Sequence, residues 1–252
     1  MPLLGEKKVA ELAREEIVEF HLRFAKTPYQ ANRMLGTLSV MLSQAEIWGM
    51  RPSTMNPCLK VKRFKEKKRE RYLSSEEMKR LANALDEEEK TAPVTAAAFR
   101  LLIITGCRLG EIQKLKWDWV DFEREAILLP DSKTGMKTVY LSPQGIAILR
   151  SIPRLPENPF VITGREPRSH LTDMQKPWRR IRKAAGIEDV RIHDLRHTFA
   201  ATAASNGLSL PMIGKLLGHT QAQTTARYAH LAADPVRKAN ADVARLIAES
   251  MS

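Results

Sequence analysis

Apolar residues recur every three or four positions along most of this chain, a spacing that predicts a mainly helical protein. In KKVAELAREEIVEFHLRFA, Val9, Leu12, Ile17, Phe20 and Phe24 fall at helical intervals, and PYQANRMLGTLSVMLSQAEIWGM continues the pattern from the Thr27-Pro28 step to near Gly49, so residues 7–50 read as a small helical unit. The pattern lapses in KVKRFKEKKRER, Lys60 to Arg71, which has too few apolar positions to anchor it and reads as an extended linker. Helical spacing resumes at Ser74 and Glu77, placed as a capping box ahead of MKRLANAL. TAAAFRLLIITG predicts a buried helix ending at Gly106, and RLGEIQKLKW starts another at once. AILLP and TVYLS flank DSKTGMK as strand, turn and strand, a β-hairpin. Ser142-Pro143 opens the next helix, FVITG predicts a short strand, and WRRIRKAAG a basic helix closing at Gly186. The remainder reads as helix: residues 193–205, a short helix ending at LLGH, another around Tyr228, and an amphipathic one over 235–250 that uses Val243, Leu246 and Ile247. The expected architecture is therefore mainly α with a small antiparallel β-hairpin or sheet, in two domains. Residues 1–65 form a helical domain with its linker running to about 71, and residues 72–252 form a mixed α+β domain.

Composition changes this picture in one respect. With 43% hydrophobic and 28% charged residues the chain is an ordinary globular protein, but its net charge of +12 calls for a polyanionic partner, most simply nucleic acid. The charge concentrates in the linker, at Lys62, Arg63, Lys65, Lys67, Lys68 and Arg69, and on the basic helix, at Arg179, Arg180, Arg182 and Lys183. These are the candidate phosphate contacts. No apolar run approaches the ~20 residues of a membrane span and the first residues do not form a signal peptide, so the expected location is the cytoplasm. Cys58 and Cys107 are too few and too far apart for a disulfide framework and read as packed thiols.

The candidate chemistry begins with RIHDLRHTFA. On a helix, His193, Arg196 and His197 share one face. A His pair four apart is the spacing of helix-borne zinc ligands, but the residue after the first His is Asp194 rather than the Glu of the protease motif, and Arg196 is a permanent cation between the two. Such a face suits an oxyanion, and no metal is expected. TGCRLGEI, DSKTGMK and LLGHTQAQTTARYAHL supply further arginine, lysine, histidine and tyrosine without a carboxylate cluster for magnesium. Fixed cations would neutralise the charge on a phosphodiester, and arginine forks match its non-bridging oxygens. Each residue has an ordinary reading as well: Arg108 as a surface pair, His219 as the residue after a helix-ending glycine, Tyr228 as a packed tyrosine.

These four stretches, in this order and spacing, resemble the catalytic domain of the tyrosine recombinase (phage integrase) family over residues 72 to about 232. TPYQANRMLGTLSVMLSQAEIWGM resembles that family's helical core-binding domain, cut short at its N-terminal side. The resemblance implies a site-specific recombinase that cleaves and rejoins double-stranded DNA without metal, ATP or other cofactor, acting in the bacterial cytoplasm or nucleoid as a tetramer on DNA and a monomer in solution. It implies that Tyr228 attacks the scissile phosphate, giving a 3′-phosphotyrosyl link and a free 5′-hydroxyl. Arg108 and Arg196 would clamp the non-bridging oxygens, His193 act as general base, Lys133 as general acid, His219 as a further donor, and Glu111 would orient Arg108. Lys137 competes for the hairpin role, Tyr140 and Tyr72 for that of nucleophile. His197 is expected to be a buried histidine hydrogen-bonded within the fold. Two other functions remain open: a catalytically silent or regulatory DNA-binding remnant, and a type IB topoisomerase-like relaxer.

Overall fold

The computed structural model describes residues 3–53, 56–66, 69–132 and 135–251. It divides into two compact units, Met1–Glu70 and Arg71–Ser252. Among the described residues no helix is long and apolar enough to cross a membrane.

The first unit is built on α1 (Arg14–Arg23) and α2 (Pro28–Ile47). The single helix expected from residue 7 onward is broken: Val9–Glu11 form a 3-10 turn, and Leu12 is extended. The break has a local cause, because Glu16 accepts a hydrogen bond from the Ala13 backbone N–H at 3.0 Å and so starts α1 afresh. Leu12 is thereby turned inward to join Ile17, Leu35, Leu42 and Cys58 in a small core. The first half of the linker is no free tether. The buried Asn32 amide donates to the Phe64 carbonyl at 2.8 Å, its oxygen accepts from the Phe64 N–H at 2.9 Å, and the Phe64 ring stacks on His21 with centroids 4.3 Å apart.

Arg71 opens the second unit by pairing with both Glu77 and Asp189. Next come α3 (Ser75–Glu89), with the expected Ser74–Glu77 capping box, and α4 (Pro93–Thr105). The buried face of α4 carries Ala96, Ala97, Ala98, Phe99, Leu101 and Leu102, and small alanines let neighbouring helices approach it closely. Gly106 ends α4 at φ +61°, and a side chain there would strike the Phe199 ring, 2.6 Å from an added Cβ. Glycine is required on both counts.

After α5 (Leu109–Gln113) the chain forms a three-stranded antiparallel sheet in the order β1 (Val120–Asp121), β2 (Ala126–Ser132), β3 (Gly135–Tyr140). The β2–β3 hairpin is the expected one; β1 is additional. Its two residues pair with Ile127 and Ala126 because Asp121 caps the intervening turn, its carboxylate accepting from the Glu123 and Arg124 N–H groups. FVITG, expected as a strand, makes only isolated bridges at Phe160 and Thr163. Its Val161 and Ile162 are fully buried, but the neighbouring segment runs alongside too briefly to form a ladder.

The remaining helices are α6 (Pro143–Ser151), α7 (Gln175–Ala184), α8 (Ile192–Ser205), α9 (Leu210–Leu217), α10 (Ala222–Ala226) and α11 (Ala233–Met251). The core between α4 and α7 centres on Phe99 and Trp178, whose rings lie 5.2 Å apart. A second cluster, Ala200, Ala204, Ile213, Leu217 and Tyr228, holds α8 and α9 together. Helix α7 begins three residues before the expected WRRIRKAAG, where Asp173 accepts from the Gln175 and Lys176 N–H groups.

Candidate active site

Helix α8 is the centre of the site. Asp194, buried in its first turn, accepts from the Arg191 N–H at 2.8 Å and fixes where the helix starts. Farther along, Thr198 donates to the Asp194 carbonyl and accepts from the Leu73 N–H. Arg196, on the intervening turn, is 4% exposed. Its guanidinium donates to the Gly106 carbonyl at 2.6 Å and to the Leu217 carbonyl at 2.8 Å. Both acceptors are at helix C-termini, where carbonyls lack intrahelical partners and the helix dipole is negative. Two helix ends thus aim one arginine fork, leaving its remaining N–H donors for a ligand.

Arg108 sits at the entrance to α5 and is held chiefly by a carboxylate. Glu111 accepts from its backbone N–H at 2.9 Å and from its guanidinium at 2.8 Å, and a longer contact of 3.4 Å reaches the Gly218 carbonyl. The Glu111 oxygen that accepts from the Arg108 N–H also accepts from the Lys137 ammonium at 3.0 Å. Burial acts to raise the Glu111 carboxyl, but the Arg108 N–H and the Lys137 charge outweigh it and hold the group below its ordinary value. The Lys137 stem packs on Gly218, where an added Cβ would come within 2.9 Å of it. Side chains of Lys137 and Glu111 are only 5% and 7% exposed. Replacing Glu111 with Leu would leave the Lys137 charge buried without its partner, and should cost ~3–5 kcal/mol in urea denaturation. Lys137→Met should cost less, since Glu111 keeps Arg108. A double variant more stable than Glu111→Leu would fit this account; simple additivity of the two losses would refute it.

The third group comes from the end of α9 onward. His219 follows the left-handed Gly218, and its Nδ1 lies 2.8 Å from the Thr225 hydroxyl. Burial, then Arg196 and Arg108, lower His219 to about 4, so it is neutral at physiological pH. Tyr228 lies between α10 and a 3-10 turn over Ala229–Ala232. Only 5% exposed, it packs its ring into the cluster joining α8 and α9. Burial raises its phenol above the usual value, while Arg227 and Arg196 oppose the rise. The hydroxyl is 2.5 Å from His197 Nδ1. The contact that the resemblance gives to His193 is therefore made by His197, and His193 stands edge-on to it with ring centroids 4.8 Å apart. His197 is half-buried rather than buried as expected, and the hydrogen bond it forms within the fold is to the candidate nucleophile. The signal in the sequence was its position one turn after His193 on the same helical face.

The structure thus brings Arg108, Glu111, His193, Arg196, His219 and Tyr228 into one cluster. Among the described residues no group of three His, Cys, Asp or Glu is placed to hold a metal ion. Lys133 lies outside the described residues, as do Lys67 and Lys68. Of the basic helix, Arg179 and Lys183 are exposed. Arg180 pairs with Glu88, and Arg182 donates to the Val190 carbonyl at 3.1 Å, so part of the charge assigned to phosphate also braces the fold. Lys62, Arg63, Lys65 and Arg69 are exposed in the linker.

A model of the phage integrase family matches residues 71–234, which begin where the second unit begins and include every residue of this cluster. The chain belongs to the phage integrase family. Tyrosine recombinase XerA of Saccharolobus solfataricus is 31% identical over 144 residues, covering 55% of this chain and 46% of that protein. Tyrosine recombinase XerC of Staphylococcus epidermidis is 28% identical over 223 residues, covering 80% and 71%. The chain thus spans about half the length of the first relative and about seven-tenths of the second. A crystal structure of a lambda integrase dimer bound to a COC′ core site shares the fold, with a TM-score of 0.68 at 20% identity over 90% of this chain and 82% of that one. In this integrase-family chain, the mainly helical architecture with its three-stranded antiparallel sheet is the fold expected of a tyrosine recombinase catalytic domain.

Proposed function

We propose that this chain is a site-specific DNA recombinase that cleaves and rejoins duplex DNA through a 3′-phosphotyrosyl intermediate. The observation that carries this reading is the convergence of two anchored guanidiniums, Arg108 and Arg196, with one buried tyrosine, Tyr228, in a single cluster. Two fixed cations suit the non-bridging oxygens of a phosphodiester and the extra charge of its transition state. Tyrosine suits a reversible transfer, because a phenol of pKa ~10 leaves more readily than an alkoxide and preserves the energy of the broken bond. His219 and His193 add donors or acceptors around the phosphate, and Lys133, in the sequence between β2 and β3, protonates the departing 5′-oxygen.

The partner in this reading is double-stranded DNA, bound through the linker residues Lys62 to Arg69 and the exposed face of α7. Assembly is a homo-oligomer on DNA, a tetramer when two duplexes exchange strands, with the bacterial cytoplasm or nucleoid as its location. The exposed Val236, Val243, Leu246 and Ile247 on α11 support contact with a second copy, since together they leave one helix face apolar.

The test is covalent capture. The full chain is mixed with a pool of duplexes of randomised sequence, nicked so that the cleaved end diffuses away, and protein–DNA adducts are recovered after denaturation. Adducts should form in the presence of EDTA, with the modified peptide containing Tyr228. No adduct with or without divalent metal, despite DNA binding, would favour the silent DNA-binding alternative. Adduct formation that depended on added zinc would restore the metal reading of His193 and His197.

A further inference from the structure

We propose that His197 is the residue that takes the proton from Tyr228 as its oxygen attacks phosphorus. The inference rests on the recombinase reading above and assigns a catalytic contact within that site. Its basis is geometry. His197 Nδ1 and the Tyr228 hydroxyl are 2.5 Å apart, although the residues are 31 positions apart in sequence, so the contact is imposed by the tertiary fold. Neither side chain is free to wander. The Tyr228 ring is fixed among Ala200, Ala204, Ile213 and Leu217. The His197 ring is on the second turn of α8 with the His193 ring edge-on against it, at an interplanar angle of 86°.

The charges around the pair favour the required protonation states. On α8, His197 faces His193, Asp194 and Arg196; from the segment after α10 it faces Arg227 and Tyr228. Burial first, then Arg227 and His193, lower its pKa to about 4. A neutral imidazole at physiological pH can accept the hydroxyl proton at Nδ1 with its own hydrogen on Nε2. In the cleavage step the Tyr228 oxygen–phosphorus bond forms and the phosphorus–O5′ bond breaks. The phenolic proton passes to His197 Nδ1, and the departing O5′ takes a proton from the Lys133 ammonium. Rejoining returns both. Imidazolium formed beside Arg196 and Arg227 is disfavoured until the phosphate's negative charge arrives, which couples proton transfer to a bound substrate.

The experiment compares single-turnover cleavage by the full chain and by His197→Gln, on one duplex sequence recovered from the covalent-capture pool, between about pH 6 and about pH 9. Glutamine can accept the hydroxyl hydrogen bond but cannot carry the proton away. The unmodified chain should give a nearly flat profile, because its base is already neutral across this range and would lose function only as the pH falls toward about 4. His197→Gln should bind the duplex normally and cleave ~10²–10⁴-fold more slowly near neutrality, with a rate that climbs about tenfold per pH unit as the phenol ionises by itself. His193→Gln should keep the flat profile.

Equal cleavage by His197→Gln and the unmodified chain would overturn the proposal. Faster cleavage by the variant would overturn it too, because the contact would then be a latch on the nucleophile. If His197→Gln failed to fold, the unmodified chain still decides: a rate rising about tenfold per pH unit would mean that no neutral base removes the proton. Failure of the unmodified chain to capture any DNA would instead overturn the recombinase reading, and this inference with it.

Discussion

A Tyr228→Phe chain is expected to bind duplex DNA as tightly as the unmodified chain and to form no covalent adduct at all. The substitution removes one oxygen from a ring that is 5% exposed and packed between α8 and α9, so the core that holds Arg196 in place keeps its shape. The loss of one hydrogen bond to His197 should cost ~0.5–1.5 kcal/mol of stability, too little to unfold a domain of this size. Two rivals for the nucleophile are poorly placed: Tyr140 is 75% exposed at the end of β3, and Tyr72 is 38% exposed before α3. Neither has a contact with Arg108 or Arg196 among the described residues. Binding is read by mobility shift and the adduct by its survival of denaturation. An adduct formed by Tyr228→Phe would reassign the nucleophile, and Tyr140→Phe would be the next variant to measure.

Lys133→Ala should slow cleavage by the ~10²–10⁴-fold typical of a lost general acid, because an alkoxide leaves poorly without a proton. The cause can be isolated chemically. With sulfur in place of the bridging 5′-oxygen, the leaving thiolate has a far lower pKa and needs no acid, so Lys133→Ala should cleave that substrate nearly as fast as the unmodified chain does. Arg196→Ala lacks charge stabilisation rather than an acid and should stay slow on both substrates. Lys137 provides the internal comparison, since its ammonium is buried against Glu111 at 3.0 Å. Lys137→Ala removes the buried partner of Glu111 and not an acid, so it should gain nothing from sulfur. The opposite pattern, with rescue of Lys137→Ala and none of Lys133→Ala, would move the acid to the later lysine.

The parts of this architecture visible in the sequence are those specified by neighbouring residues. The Ser74–Glu77 capping box, the Gly106 and Gly218 helix stops and the Ser142-Pro143 helix start each depend on contacts within about one turn. The helical spacings of Arg108 with Glu111, and of His193 with Arg196, were legible for the same reason, since one turn fixes each pair, while the roles of these residues came from the family resemblance. What escaped was decided by partners distant in sequence, or by one competing bond. The helix break at Leu12 depends on Glu16 reaching back to Ala13. FVITG had the composition of a strand and lacked a long enough neighbour. The bonds from Lys137 to Glu111 and from His197 to Tyr228 join residues 26 and 31 positions apart, which periodicity does not encode.

The carbonyls that aim Arg196 come from the ends of α4 and α9, 90 residues before it and 21 after it. A chain in which α9 has not formed or has peeled away keeps the arginine and the α4 carbonyl but lacks the second of the two acceptors that aim it. In the recombinase reading, the aim of Arg196 therefore depends on α9 staying packed against α8, and local opening at that end would loosen it.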